Sequence, residues 1–159
     1  MNQWLETTLF ELSKLFLTPV LLLIALLFAY ALFTVGGFIA EGWLRRRGSA
    51  LRRYHAAYPG LASEDLELWI VKKLELLRIA SRTAPMLGLV ATMIPMGPAL
   101  LSLSDGKMDG VGENLAVAFS AVITALVSAS LTFWVLTVRR RWMLSDLREI
   151  ERGRAERQV

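Results

Sequence analysis

The chain has 159 residues, 55% of them hydrophobic, with 18 basic against 14 acidic side chains, one histidine and no cysteine. Missing cysteine excludes disulfides, thiolate metal sites and thiol nucleophiles. The lone His55 is too little for a histidine metal centre or a triad, so no catalytic residue, metal or cofactor is expected. The mean hydropathy of +0.47 comes from apolar residues gathered in blocks, which speaks for a membrane protein, and the pI near 9.9 is read as a topology signal, with no nucleic acid partner.

In chain order, residues 1–15 form an amphipathic interfacial helix on the outside, with Trp4, Leu5, Leu9, Leu12 and Leu15 on one face and Glu6, Glu11 and Lys14 on the other. Its acidic start does not fit a signal peptide. Residues 16–40 hold no charge and are transmembrane helix 1, since about 20 apolar residues cross a bilayer. Residues 41–82 are a cytoplasmic helical segment with a turn at Tyr58-Pro59-Gly60 and an N-cap at Ser63. Glu64 and Asp65 then meet the positive end of the helix dipole, and Leu66, Trp69, Ile70, Leu74 and Leu77 make one apolar face. So short a segment cannot build an enzyme domain and reads as a connector that packs on a neighbour. Residues 83–103 are transmembrane helix 2, rich in breakers (Pro85, Pro95, Pro98, Gly88 and Gly97), which membrane helices tolerate. Residues 104–114 are a short external loop, 115–138 transmembrane helix 3, and 139–159 a cytoplasmic tail that extends it.

Nine lysines and arginines lie in 41–82 and seven in 139–159, against Lys14 and Lys107 alone elsewhere. Three spans put both basic segments on one side, as the positive-inside rule requires. The expectation is an all-α membrane protein with three transmembrane helices and cytoplasmic helical extensions, in the cytoplasmic (inner) membrane, N-terminus outside. The simplest role of the arginines is anchoring to anionic membrane lipid.

No Asp, Glu, Lys, Arg or His lies inside a span, although proton carriers ordinarily need an ionisable group at membrane depth. Either the chain does not conduct, or the titrating group belongs to a partner. On helix 3, Ala116, Ser120, Thr124, Ser128 and Thr132 recur every four residues, with Ala121, Ala125 and Ala129 beside them, and this is expected to put them on one face. Ala84, Gly88 and Thr92 repeat the pattern on helix 2. Faces of this kind serve first of all for helix packing. Two of them on consecutive helices also suit a shared, weakly polar cavity. Pro95 and Pro98 withdraw amides from the carbonyls of Ala91 and Ile94, which gives either a kink or free acceptors beside Thr92.

The stretch Thr83-Ala84-Pro85-Met86-Leu87-Gly88-Leu89-Val90-Ala91-Thr92 resembles the second conserved helix of the MotA/TolQ/ExbB proton channel family, with its Ala-Pro, Leu-Gly-Leu and Gly-Thr. Leu115 to Leu126 is similar to that family's Ala- and Thr-rich third helix, and the likeness extends from Thr83 to Arg141. It implies a homopentamer around a single-span ExbD/TolR/MotB-like subunit that supplies an aspartate, and a motor or energiser driven by the proton-motive force. The alternative is a non-conducting scaffold. By position, Thr92 and Thr124 match the family's two pore threonines. Ser120, Ser128, Gly88 and Pro95 join them as proton-pathway or pore-lining candidates, and Ala84, Ala121, Ala125 and Thr132 as packing positions for a partner helix. Ala91 and Pro95 stand where the family has glycines, and Phe119 or Ser120 where some members carry an acid.

Overall fold

The computed structural model describes residues 2–44, Leu51, Tyr54, 63–104, Gly106 and 109–156. Three long helices run through them: α1 (Asn2–Leu44), α2 (Ser63–Ser104) and α3 (Asp109–Ala155), with no strand among the described residues. Each contains a stretch long and apolar enough to cross a bilayer, with mean hydropathies of 2.6, 1.8 and 2.0 in chain order. The chain is a multi-pass membrane protein. The 42 residues of α2 and 47 of α3 make rods of about 63 and 70 Å. Both are about twice the 30 Å hydrocarbon thickness, so each span continues into a polar phase as the same helix.

The side chains that α2 buries record where the solvent changes. Its buried stripe is unbroken: Leu66, Ile70, Leu74, Leu77, Ala80, Ala84, Gly88, Ala91, Pro95 and Ala99. As far as Leu77 the buried residues are large, while the exposed side mixes Glu64, Glu67, Lys72 and Glu75 with Leu68, Val71 and Leu76. From Ala80 onward the buried residues are small, and the large ones (Met86, Leu89, Met93, Leu100) are turned outward. Bulk on the outside and small residues within is what lipid demands, because burying a leucine gains nothing over leaving it among acyl chains while close backbone approach gains dispersion. On α3 the same change falls between Thr132 and Val135: Ala118, Ala121, Ala125, Ser128, Ala129 and Thr132 are buried on one side of it, Val135, Met143 and Leu147 on the other.

The element ends differ from the sequence reading in two places. Residues 2–15 are not a helix apart but continue α1 without a break. The stretch expected as a loop over 104–114 is partly helical, because α3 already begins at Asp109. α2 begins at Ser63 with Glu64 and Asp65 in its first turn. It closes at Gly106, whose φ of 72° only glycine adopts without strain, and whose amide donates to Leu103 O at 3.2 Å. The turn expected at Tyr58-Pro59-Gly60 lies outside the described residues.

At the basic ends α1 and α3 are tied by aromatic side chains and an ion pair. Phe38 of α1 stacks on Trp142 of α3 at 5.0 Å and meets Trp134 edge-on at 5.4 Å. Leu51 is fully buried in the cluster that Phe38, Leu66, Ile70, Leu74, Met143 and Leu147 form, so this residue packs against the start of α2. One turn beyond Phe38, Glu41 accepts from Arg139 Nη2 at 2.8 Å, with side chains 33% and 20% exposed, while the buried Arg139 Nε has no partner among the described residues. The two charges sit between the surface case, worth about 0–1 kcal/mol, and the buried case, where removing one partner costs about 3–5 kcal/mol. Glu41→Leu alone is expected to destabilise by about 1–3 kcal/mol and Glu41→Leu with Arg139→Met by less than either single change. Thermal unfolding in detergent, run as a double-mutant cycle, measures this, and additive losses would mean that the pair is not coupled.

Candidate functional site

The seam between α2 and α3 takes in several of the sequence candidates, and the two helices come close together at Gly88. A Cβ at Gly88 would lie 2.9 Å from the Ala125 Cβ and 3.3 Å from Val122 Cγ2. The shorter contact cannot be relieved by a side-chain rotation, since the Ala125 methyl is fixed to the backbone. The helices are therefore this close because position 88 lacks a side chain and position 125 has the smallest one. Val20 and Ile24 of α1 close the cluster around Ala91, Ala121 and Ala125 from the third side. Ala84, Ala121, Ala125 and Thr132, the packing candidates, are all buried within the chain itself.

The four-residue stripes do not keep to one face. Each step of four residues turns a helix about 40° past a full turn, so four steps carry a stripe through about 160°. On α3, Ala116 and Ser120 are accordingly exposed, Thr124 half-buried, and Ser128 and Thr132 buried at 1% exposure each. On α2 the drift runs the other way: Ala84 and Gly88 are buried, Thr92 is half-buried, and Met96 is 46% exposed. Thr92 and Thr124 are thus the two hydroxyls at the edges of the packed seam, neither sealed inside it nor fully outside.

Every hydroxyl of the set is satisfied by its own helix. Thr92 donates to Leu89 O at 2.7 Å, Ser120 to Val117 O at 2.9 Å, and Thr124 to Ser120 O at 2.8 Å. Ser128 donates to Thr124 O at 2.7 Å and Thr132 to both Ser128 O and Ala129 O. Back-bonding of this kind lets a hydroxyl sit in an apolar phase while leaving the oxygen lone pairs free to accept. Pro95 is buried inside α2, which stays helical through Pro85, Pro95 and Pro98. Thr92 turns to Leu89 O rather than to the Ala91 carbonyl that Pro95 leaves without its amide. The candidates are thus divided. Gly88, Ala84, Ala121 and Ala125 with Ser128 and Thr132 are packing residues within one chain, and Thr92, Thr124 and Ser120 are the polar atoms it leaves accessible.

Sequence reading did not find the Arg139–Glu41 pair or the Phe38–Trp142 stack, since both join distant segments. The signal available was Glu41 and Arg139 flanking two spans that must end at the same membrane face.

Together these features define a class: a membrane subunit of three helices, its second and third packed through small residues, with hydroxyls at the edge of the seam and no charge of its own at membrane depth. The model of the MotA/TolQ/ExbB proton channel family matches residues 61–152, more than half of the chain. The chain belongs to that family. No curated protein and no solved structure matches it. The matched region takes in all of α2 and most of α3 and leaves α1 outside.

Proposed function

We propose that the chain is the membrane subunit of a motor or energiser complex driven by the proton-motive force, in the cytoplasmic membrane with the N-terminus outside. Five copies surround a single-span partner whose aspartate takes up and releases the proton. One observation carries the reading. Three spans without Asp, Glu, Lys, Arg or His hold accessible hydroxyls at Thr92 and Thr124, so the family's chemistry here requires a carboxylate from another polypeptide. Each proton moving inward releases about 2.3 kcal/mol per 100 mV of membrane potential. Protonation removes a charge from the partner's carboxylate in an apolar surrounding and changes which threonines it prefers, and repeated around a ring this drives relative rotation.

The chain supplies hydroxyl acceptors and donors, small-residue faces that let a partner helix approach, and long α2 and α3 rods that carry motion beyond the membrane. The second reading, a non-conducting scaffold, draws on Ser128 and Thr132, two of the five stripe residues, being sealed inside one chain.

Proton flux into liposomes separates the two. The chain reconstituted with its single-span partner is expected to acidify the lumen under an applied potential, and the partner's Asp→Asn variant to abolish this. Native mass measured on the same preparation is expected to give five copies. A complete complex that leaks no protons would leave the scaffold.

A further inference from the structure

A groove lies not at the hydroxyls but where α2 and α3 leave the membrane. It has a volume of about 1020 Å³, at the upper end of the range for small-molecule clefts. Six arginines line it: Arg78 and Arg82 from α2, and Arg140, Arg141, Arg148 and Arg152 from α3. Glu149 is the one acidic residue in the lining. Among the described residues none of the six arginines is held in an ion pair. Arg78 with Arg82, and Arg148 with Arg152, are like charges four residues apart, an arrangement that destabilises a helix unless something neutralises it.

We propose that this groove is a binding site for the phosphodiester headgroup of an anionic phospholipid, with the acyl chains running along Phe133 and Leu136. Position, donors and charge all bear on the occupant. The buried stripes change from large to small residues at Leu77–Ala80 on α2 and at Thr132–Val135 on α3, which marks the membrane boundary. Arg140, Arg141, Arg148 and Arg152 lie on its polar side, Arg78 lies at it and Arg82 just past it on α2, and Phe133, 63% exposed, lies at it on α3. A soluble phosphate has no use for that apolar floor.

The other polar groups in the groove are already engaged. Ser81 donates to Arg78 O, Thr137 to Phe133 O and Ser145 to Trp142 O, at 2.8–3.0 Å. The donors left for an anion are guanidinium groups, whose planar fork matches two phosphate oxygens at once. A second copy of the chain is a poor occupant on charge, because segments 41–82 and 139–159 together carry an excess of seven positive charges. Basic pockets between transmembrane helices are a general means of holding anionic headgroups. The inference does not rest on the proton pathway.

The test uses the full chain in nanodiscs of phosphatidylcholine with a minor share of phosphatidylglycerol, and counts phosphatidylglycerol retained on release by native mass spectrometry. Arg78→Gln with Arg140→Gln is expected to lower retention more than about tenfold, an arginine near an anionic surface being worth about fivefold. Lys72→Gln with Arg154→Gln, the same loss of charge outside the groove, is expected to change it less than about twofold. Equal losses from both pairs, or no loss from the first, overturn the proposal.

Arginine modification by phenylglyoxal on the unaltered chain gives a readout that does not depend on a variant folding. Phosphatidylglycerol is expected to protect Arg78, Arg82, Arg140 and Arg141, and neither pure phosphatidylcholine nor millimolar inorganic phosphate to do so. Protection by phosphate alone would make the site one for a free anion. Protection in pure phosphatidylcholine would mean that protein covers the groove. Either result removes the lipid assignment.

Discussion

Gly88→Ala is expected to destabilise the protein by about 1–3 kcal/mol, the usual cost of forcing a methyl into a filled core. The sign is what makes the experiment sharp. Replacing a helical glycine by alanine ordinarily stabilises a helix by about 1 kcal/mol. That is the outcome expected at Gly36, where an added Cβ meets nothing within 4 Å. At Gly88 the same methyl arrives 2.9 Å from the Ala125 Cβ, and two helix backbones must separate to admit it. Gly88→Val is expected to prevent assembly altogether. Ala125→Gly placed behind Gly88→Ala removes the shortest contact, and the double variant is expected to recover most of the loss despite carrying a new glycine in α3. Unfolding in detergent, followed by helical signal and by native mass, reads all four variants. A Gly88→Ala protein as stable as the Gly36→Ala protein would mean that α2 and α3 do not meet at this point.

What the sequence could disclose here follows from range. Span positions are legible because they depend on the composition of continuous windows: Phe16–Ala40, Thr83–Leu103 and Leu115–Val138 lack charge, and each lies within one long helix. The apolar face Leu66, Trp69, Ile70, Leu74 and Leu77 is legible for the same local reason, and all but the half-buried Trp69 are buried. The sides of the membrane stripes are not legible from a four-residue spacing. That spacing is 0.4 residue longer than a helical turn, and the mismatch accumulates until Ala116 and Thr132 lie on nearly opposite sides of α3. The buried set in the structure interleaves steps of four with a step of three (Ala84, Gly88, Ala91, Pro95, Ala99), which holds to one face. Seeking that pattern would have placed Ser128 and Thr132 in the seam and left Thr92 and Thr124 at its edge. The arginine groove needed the fold, because its two walls lie about sixty residues apart and the sequence shows only four separate runs of basic residues.

Thr92→Val and Thr124→Val are expected to leave the fold intact and to lower proton flux by about tenfold to a hundredfold each. The first half follows from the local bonding. Each hydroxyl donates only to its own helix, to Leu89 O and Ser120 O, and such back-bonds add little or nothing to helix stability. Valine keeps the shape and the half-buried packing. The second half follows from what the oxygen does when a carboxyl group comes near. With its proton committed to a backbone carbonyl, the hydroxyl can accept from a protonated acid; rotated away, it can donate to the ionised one. A hydrogen bond to a charged partner is worth about 1.5–3 kcal/mol, and 1.4 kcal/mol is a factor of ten. Thr→Ser at either position keeps the hydroxyl and loses a methyl, so flux is expected to survive it. A residue that acted only through packing would show the reverse order, with valine tolerated and serine not. Thr132 supplies the control: at 1% exposure, with its proton shared between Ser128 O and Ala129 O, Thr132→Val is expected to change stability and leave flux per assembled complex as it was. Normal flux through the Thr92→Val and Thr124→Val proteins would take the proton pathway away from these two residues.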